Sequence, residues 1–370
     1  MLNFKVFMLG ASGAGKTTLL ACKHHKLSTQ GRDNLGFFIE VVGKDKLKKL
    51  TDLYTQIADP NADWIPGNRA ADISEWTFKC CVMGTNGRKY APLSFTYLDY
   101  SGGFVSDGPH SQRLQAELDR ASAIVGLIDG VSLLESMQSD YSKKFAEQLM
   151  NICCFMQTAS HPSTEVIPLH YFVITKWDVL RKENIGLSEV EDHLMDFYPF
   201  FNLVKSNEDR NHFVRIIPVS ALGDSYVDRV EGNKMQKLAG GFLSPYNVEV
   251  PIACIIPDLI VKTNVWNPNK SYSRFMGQIK YLLFDIIPDF IPNDYGLSKK
   301  FIRSVSAYVK EQLDNAKEDT EGSFEPQRRS TAQKKKSLKE AIKFIRNDKT
   351  ALQYIIKCFL DIHYEATQFR

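Results

Sequence analysis

The N-terminal stretch Gly10-Ala11-Ser12-Gly13-Ala14-Gly15-Lys16-Thr17 combines glycines, a lysine and a hydroxyl in the order Gly, four residues, Gly-Lys-Thr. That spacing suits phosphate chemistry. Glycines let the backbone turn until successive N–H groups face one point, and a helix that follows adds the partial positive charge of its N-terminus. A polyphosphate is the natural occupant. Lys16 would reach its β- and γ-phosphates, and the Thr17 hydroxyl would bind Mg²⁺. Gly10, Ser12, Gly13, Ala14, Gly15, Lys16, Thr17 and Thr18 are the candidate contacts. The plainer alternative is a glycine-rich turn with no ligand. Against it, the apolar run from Phe4 to Leu9 reads as a buried strand and Thr18 to Lys26 as a helix, which is the setting the loop needs.

Three later stretches could complete such a site. Asp99-Tyr100-Ser101-Gly102 offers a carboxylate that can hold Mg²⁺ through water and a Gly102 N–H that can meet a terminal phosphate. In Thr175-Lys176-Trp177-Asp178 the Asp178 carboxylate could accept from the N1–H and N2–H₂ edge of guanine while the Lys176 stem packs on the base. Adenine lacks both donors, so a buried Asp178 would be left unpaired beside it. In Val219-Ser220-Ala221 the Ala221 N–H could bind guanine O6. Each stretch also has a bland reading, as a strand exit or a helix cap. Their order, each at the end of a strand pattern, argues against four coincidences.

The elements that must position these residues alternate. Strand patterns cover Phe37 to Val42, Ser74 to Met83, Leu93 to Asp99, Ala123 to Asp129, Ile167 to Thr175 and Phe213 to Val219. Helical periodicity covers Lys44 to Ile57, Ser111 to Arg120, Ser139 to Thr158, Leu187 to Phe197 and Val250 to Lys262. This pattern predicts an α/β fold with a mostly parallel sheet, ligands at the carboxyl ends of its strands, and an antiparallel hairpin of 74–83 with 93–99 supplying one edge. The character changes after residue 264. Helical patterns at Tyr272 to Ile287, Ser298 to Asn315 and Ser337 to His363 are interrupted by Pro288, Pro292 and the polar stretch Glu318 to Gln333. We expect a nucleotide-binding domain over 1–264, with an insertion at 37–70, and a helical region over 265–370 with a linker at 318–333.

Composition excludes little else. Across 370 residues the net charge is +3, which gives no global pull toward nucleic acid. The seven cysteines lack metal-ligand spacing and read as reduced, mostly buried thiols. No apolar run approaches the ~20 residues of a spanning helix, so a cytoplasmic protein is expected. His24-His25-Lys26 reads as a solvated helix end. The basic stretch at 334–349 (Lys334, Lys335, Lys336, Lys339, Lys343, Arg346) reads first as a solvated face, with membrane or nucleic acid as the minority alternative.

The four stretches resemble the G1, G3, G4 and G5 boxes of Ras-like P-loop GTPases, over roughly residues 1 to 262. Thr175 replaces the usual Asn of G4, as in dynamin-like GTPases. The insertion with Trp64-Ile65-Pro66-Gly67-Asn68, together with Phe242 to Pro251, resembles bacterial double-GTPase families associated with predicted conflict or defence systems. The resemblance implies a three-layer fold, GTP or GDP as ligand, Mg²⁺ held by Thr17 and Asp99, and hydrolysis to GDP and phosphate around Lys16, Gly102 and Gly103. Loops at 60–75 and 102–113 would respond to the nucleotide, and these loops or the C-terminal helices would engage a protein partner. Departures from the family matter. Gly103 and Phe104 stand where a water-orienting Gln is often found, and Asn68 stands where a Thr would cap Mg²⁺, with Thr55 and Thr77 as alternatives. Slow intrinsic hydrolysis follows, with help from elsewhere; Arg69 and Arg113 are candidates, though surface arginines are the plainer reading, and Ser12 would crowd an arginine inserted in trans. A GTP-driven switch leads. The alternatives are a dynamin-like mechanical GTPase on membranes, a non-hydrolysing nucleotide-binding scaffold and, last, an ATP-dependent P-loop kinase.

Overall fold

Along the first strand, Phe4, Val6 and Met8 alternate with Phe7 and Leu9, and the two sets enter separate apolar clusters on opposite faces of a sheet. A strand apolar on both faces belongs in the middle of a layered fold, and that is where it lies. In a computed structural model, which describes residues 1–29, 35–65, 74–99, 117–118, 120–139, 142–159, 168–208, 214–230, 234–264, 342–343 and 345–367, strand β1 (Leu2–Gly10) is central in a seven-stranded sheet. The others are β2 (Phe38–Val41), β3 (Ser74–Met83), β4 (Lys89–Asp99), β5 (Ala123–Asp129), β6 (Leu169–Thr175) and β7 (Val214–Pro218), in the order β2-β3-β4-β1-β5-β6-β7. From β4 to β7 neighbours run parallel; β3 is antiparallel to β4, and β2 to β3. The expected α/β fold with a mostly parallel sheet is present. Its antiparallel hairpin is present too, but the edge beyond it is taken by β2, only four residues long.

Helices cover both faces. On one side α1 (Lys16–Leu27), α8 (Val250–Ala253) and α9 (Ile255–Asn264) join the cluster of Val6 and Met8; on the other, α4 (Lys143–Ala159), α6 (Leu187–Met195) and α7 (Tyr198–Glu208) join that of Phe7 and Leu9. Helix α2 (Lys44–Ala58) buries Leu50 and Ile57, half-buries Leu53 and Tyr54, and leaves Leu47 45% exposed, so its apolar stripe is covered at one end only. Periodicity missed several short elements: α3 (Gly130–Gln138), α5 (Trp177–Lys182), α7, and the hairpin of β8 (Val227–Val230) with β9 (Lys234–Lys237). A run of four to eleven residues carries too few periods to stand out. Much of the helix expected at 111–120, and residues 66–73 of the loop expected to respond to nucleotide, lie outside the described residues.

The last helix, α10 (Asp348–Thr367), is set off from the helical residue Ile342 by a break at 345–347 within the pattern expected from Ser337, and 337–341 lie outside the described residues. Asn347 sets the start. Its Oδ1 accepts from Thr350 N at 2.9 Å, while Thr350 Oγ1 accepts from Arg346 N and Asn347 N. The helix then packs on the sheet, Phe359 edge-on to Phe37 at 5.1 Å and 6.1 Å from Phe95. Ile345, Leu352, Ile355 and Ile356 are buried in the cluster that holds Phe4 and Val6. Tyr90 of β4 fastens the entry, donating to Arg346 O at 2.8 Å.

The far end of α10 is anchored by charge. Asp258 of α9 is fully buried and accepts from Arg215 Nε at 2.8 Å, Arg215 Nη2 at 2.6 Å and Tyr171 OH at 2.7 Å; His363 Nε2 lies 2.9 Å from Asp258 Oδ1. Cys254, Asp258 and His363 also bring three metal-type ligand atoms within 4.8 Å of one another, but the cation on both Asp258 oxygens is the guanidinium. All seven cysteines are free, and Cys154 alone is exposed. The expected helices at 272–287 and 298–315, the linker at 318–333 and the lysines 334–336 and 339 lie outside the described residues. Among the described residues no helix is long and apolar enough to cross a membrane.

Candidate functional site: a phosphate loop among four strand ends

The register puts the functional stretches on one edge of the sheet: Met8 pairs with Asp99, Gly10 with Leu127, Asp129 with Thr175 and Ile174 with Pro218. The ends of β1, β4, β5, β6 and β7 therefore open together, where ligands bind in open α/β sheets. The loop after β1 turns through Gly13 and Gly15, at φ 82° and 84°, a left-handed conformation that side chains resist. Gly15 is the N-cap of α1, so the first helical N–H groups face the loop. Ser12 and Gly13 are exposed, Ala14 is buried, and Gly10, Thr17 and Thr18 flank the turn on β1 and α1.

Lys16 is 7% exposed and donates to the loop's own carbonyls, Gly10 O at 2.6 Å and Ala11 O at 3.2 Å. Burial lowers its pKa, with Asp99 pulling the other way. Asp99 is 2% exposed, and among the described residues its Oδ1 is buried with no hydrogen-bond partner. Burial pushes the carboxyl up to about 6 against the pull of Lys16 and Lys49. A buried, unpaired carboxylate oxygen is costly unless something binds it. Gly102, Gly103, Asn68, Arg69 and Arg113 lie outside the described residues. Two alternatives for capping a metal are otherwise engaged: Thr55 Oγ1 donates to Thr51 O within α2, and Thr77 Oγ1 meets Thr96 Oγ1 at 3.1 Å across β3 and β4.

The other half of the edge is fully wired. Thr175, 5% exposed, donates to both Ala14 O (2.9 Å) and Ile128 O (3.0 Å), so its hydroxyl ties the phosphate loop to β5 and β6. Thr175 is one of the expected nucleotide contacts, and its hydroxyl donates to backbone on both sides of the loop. Asp178, 2% exposed, accepts from Ser220 Oγ at 2.5 Å, and Ser220 Oγ accepts in turn from Gly223 N at 2.8 Å. Burial raises the Asp178 pKa, and the Ser220 bond opposes that. Ser220 is held by paired backbone bonds to Tyr246, 3.1 and 2.7 Å, and Ala221 follows it half-buried. The two stretches expected to face one base are thus joined to each other. Lys176 sits at φ 52° and its Nζ donates to Asp129 Oδ2 at 2.7 Å.

Two features escaped the sequence. Asp129 is visible only as the last residue of an apolar strand followed by glycine. The β8–β9 hairpin holds the chain beyond α2: Lys237 Nζ donates to Gln56 O, Asp59 O and Ala62 O at 2.7 to 3.0 Å, Tyr226 OH to Ile57 O at 2.6 Å, and Trp64 Nε1 to Met235 O at 2.8 Å. The lysine satisfies carbonyls that the end of α2 would otherwise leave open. At the other end of α1 the expected solvated face is in use, with His25 stacked on Tyr54 at 3.7 Å and Lys26 paired with Glu249 at 2.8 Å.

Fold and site define the class: an α/β protein with a mostly parallel sheet that brings a glycine turn, a buried lysine and a buried carboxylate to one strand edge. No protein-family model matches the sequence, and no curated protein matches it. Among solved structures the chain is similar to the signal recognition particle receptor SRb-GTP/SRX complex from Chaetomium thermophilum, at 16% identity, covering 60% of this chain and 92% of that one, with a TM-score of 0.33.

Proposed function

We propose that the chain binds guanine nucleotide with Mg²⁺ and hydrolyses GTP slowly, working as a switch for a protein partner. The observation that carries this reading is the single strand edge that gathers Lys16, Asp99 and the Asp178–Ser220 pair. Hard oxygen donors suit Mg²⁺, and Asp99 Oδ1, which has no hydrogen-bond partner among the described residues, fits that ion together with the Thr17 hydroxyl. Bound there, Mg²⁺ would neutralise charge on the phosphates. The rest falls to the protein. Lys16 exchanges Gly10 O and Ala11 O for phosphate oxygens, the backbone N–H groups of Gly13 to Thr18 cradle the anion, and Asp178, its carboxylate fixed by Ser220, accepts from the guanine edge while the Ala221 N–H meets O6.

Slow turnover follows from Gly103, which has no side chain to orient water. Residues 1–264 are the nucleotide-binding unit in this reading, and 265–370 the region that engages the partner, with α10 seated on the sheet. The setting is the cytoplasm, and residues 64–68 and 242–251 support a link to bacterial conflict-system GTPases. The full chain should bind labelled GTP in the presence of Mg²⁺, resist competition by ATP and release phosphate over minutes or longer. Equal competition by ATP would remove the role given to Asp178.

A further inference from the structure

Asp129 ends β5 directly opposite Thr175 of β6, and the chain turns there into α3. The corner lies against the next strand's exit. A Cβ on Gly130 would collide with the carbonyl oxygens of Thr175 and Lys176, so only glycine lets the two strand ends approach this closely. Asp129 then divides its carboxylate. Oδ1 accepts from Val131 N at 3.0 Å and caps α3, while Oδ2 accepts from Lys176 Nζ at 2.7 Å.

Lys176 for its part adopts a left-handed backbone, φ 52° and ψ 38°, uncommon for a residue with a side chain. The side chains of the pair are 26% and 15% exposed, so water screens them less than a surface pair. A lysine stem has four rotatable bonds and loses entropy whenever it is held against a ligand. Here it is already held. It spans from the end of β6 to the end of β5, two residues before the Asp178 that would grip the edge of the base.

We propose that Asp129 is a positioning residue for base recognition: it acts through Lys176, fixing the stem as a preformed wall for a purine, and contributes nothing to holding the phosphates. The proposal rests on the guanine reading above. Asp129→Asn tests it, because the amide oxygen can still cap α3 while an N–H₂ group now faces the ammonium. Asp129→Ser, which also keeps a capping oxygen without the charge, is measured beside it.

In the full chain with Mg²⁺, affinities for GTP and for inorganic tripolyphosphate are compared by calorimetry. Both variants should bind GTP about tenfold more weakly, the size of one charge-assisted hydrogen bond, and tripolyphosphate within about twofold of the unaltered chain. In a Lys176→Met background the Asp129→Asn change should have no further effect on GTP. Equal losses for both ligands, a loss that persists without the lysine, or no loss at all would overturn the proposal. An unaltered chain that binds tripolyphosphate as tightly as GTP would overturn the guanine reading itself, and with it this one.

Discussion

Two buried aspartates lie in the same sheet protein under opposite conditions. Asp258 is fully buried, and both of its oxygens are taken by Arg215, Tyr171 and His363. Asp99 is 2% exposed, and among the described residues its Oδ1 has no partner. Burial alone would raise both carboxyls. At Asp258 the guanidinium and His363 reverse that and hold it well below the ordinary carboxylate range, whereas at Asp99 burial prevails over Lys16 and Lys49 and the pKa stands at about 6. The first arrangement is finished and fastens α10 to the sheet. The second leaves one oxygen without a partner among the described residues, at the position where Mg²⁺ is proposed.

The contrast is most exposed to attack at Arg215. Replacing it by methionine leaves Asp258 charged in a dry interior with two weaker donors, which should cost about 3 to 5 kcal/mol of stability. Denaturant unfolding should show the loss, and amide exchange should show α10 losing protection first. A cost below about 1 kcal/mol would mean the cluster is not what holds the helix.

Asp99→Asn should act in the opposite direction. A carboxyl whose folded pKa is raised lends stability that is fully present below its unfolded value of 3.8 and is lost as pH rises through about 6. The difference corresponds to about 3 kcal/mol at neutral pH. The asparagine variant, free of ligand, should therefore melt higher than the unaltered chain at pH 7.5, and the two should converge near pH 4. Asp258 contributes with the other sign, its stabilisation present above about pH 4 and lost on further acidification. The same Asp99→Asn variant should gain less thermal stability from Mg²⁺ and GTP. A variant that melts lower at pH 7.5 would show that Asp99 is already paired.

What could be read from the sequence follows from the range of the interactions. The loop from Gly10 to Thr17, the strand ends at Asp99, Thr175 and Ser220, and the α/β alternation are local patterns, and each was legible. Arg215, Asp258 and His363 were not, because they are 43 and 105 residues apart and acquire meaning only when α9 and α10 meet the sheet. Lys237 was hidden for the same reason, its three carbonyl partners lying 175 to 181 residues away. Thr175 was legible as part of a motif, while its tie to the loop was not. That its hydroxyl serves Ala14 and Ile128 depends on the parallel packing of β1, β5 and β6 around one loop.

The smallest expected effect probes how completely Asp258 is satisfied. Tyr171→Phe removes one donor from Oδ2 without changing the shape of a fully buried ring. A hydrogen bond to a charged group is worth about 1.5 to 3 kcal/mol when nothing replaces it. Here Arg215 Nε still donates to the same oxygen at 2.8 Å, and no buried polar atom on the tyrosine is left behind. The cost should therefore be about 1 kcal/mol, seen as a lower urea midpoint at an unchanged slope. A loss approaching that of Arg215→Met would show the three donors to be jointly required, and Asp258 to stand closer to the exposed demand of Asp99 than its contacts suggest.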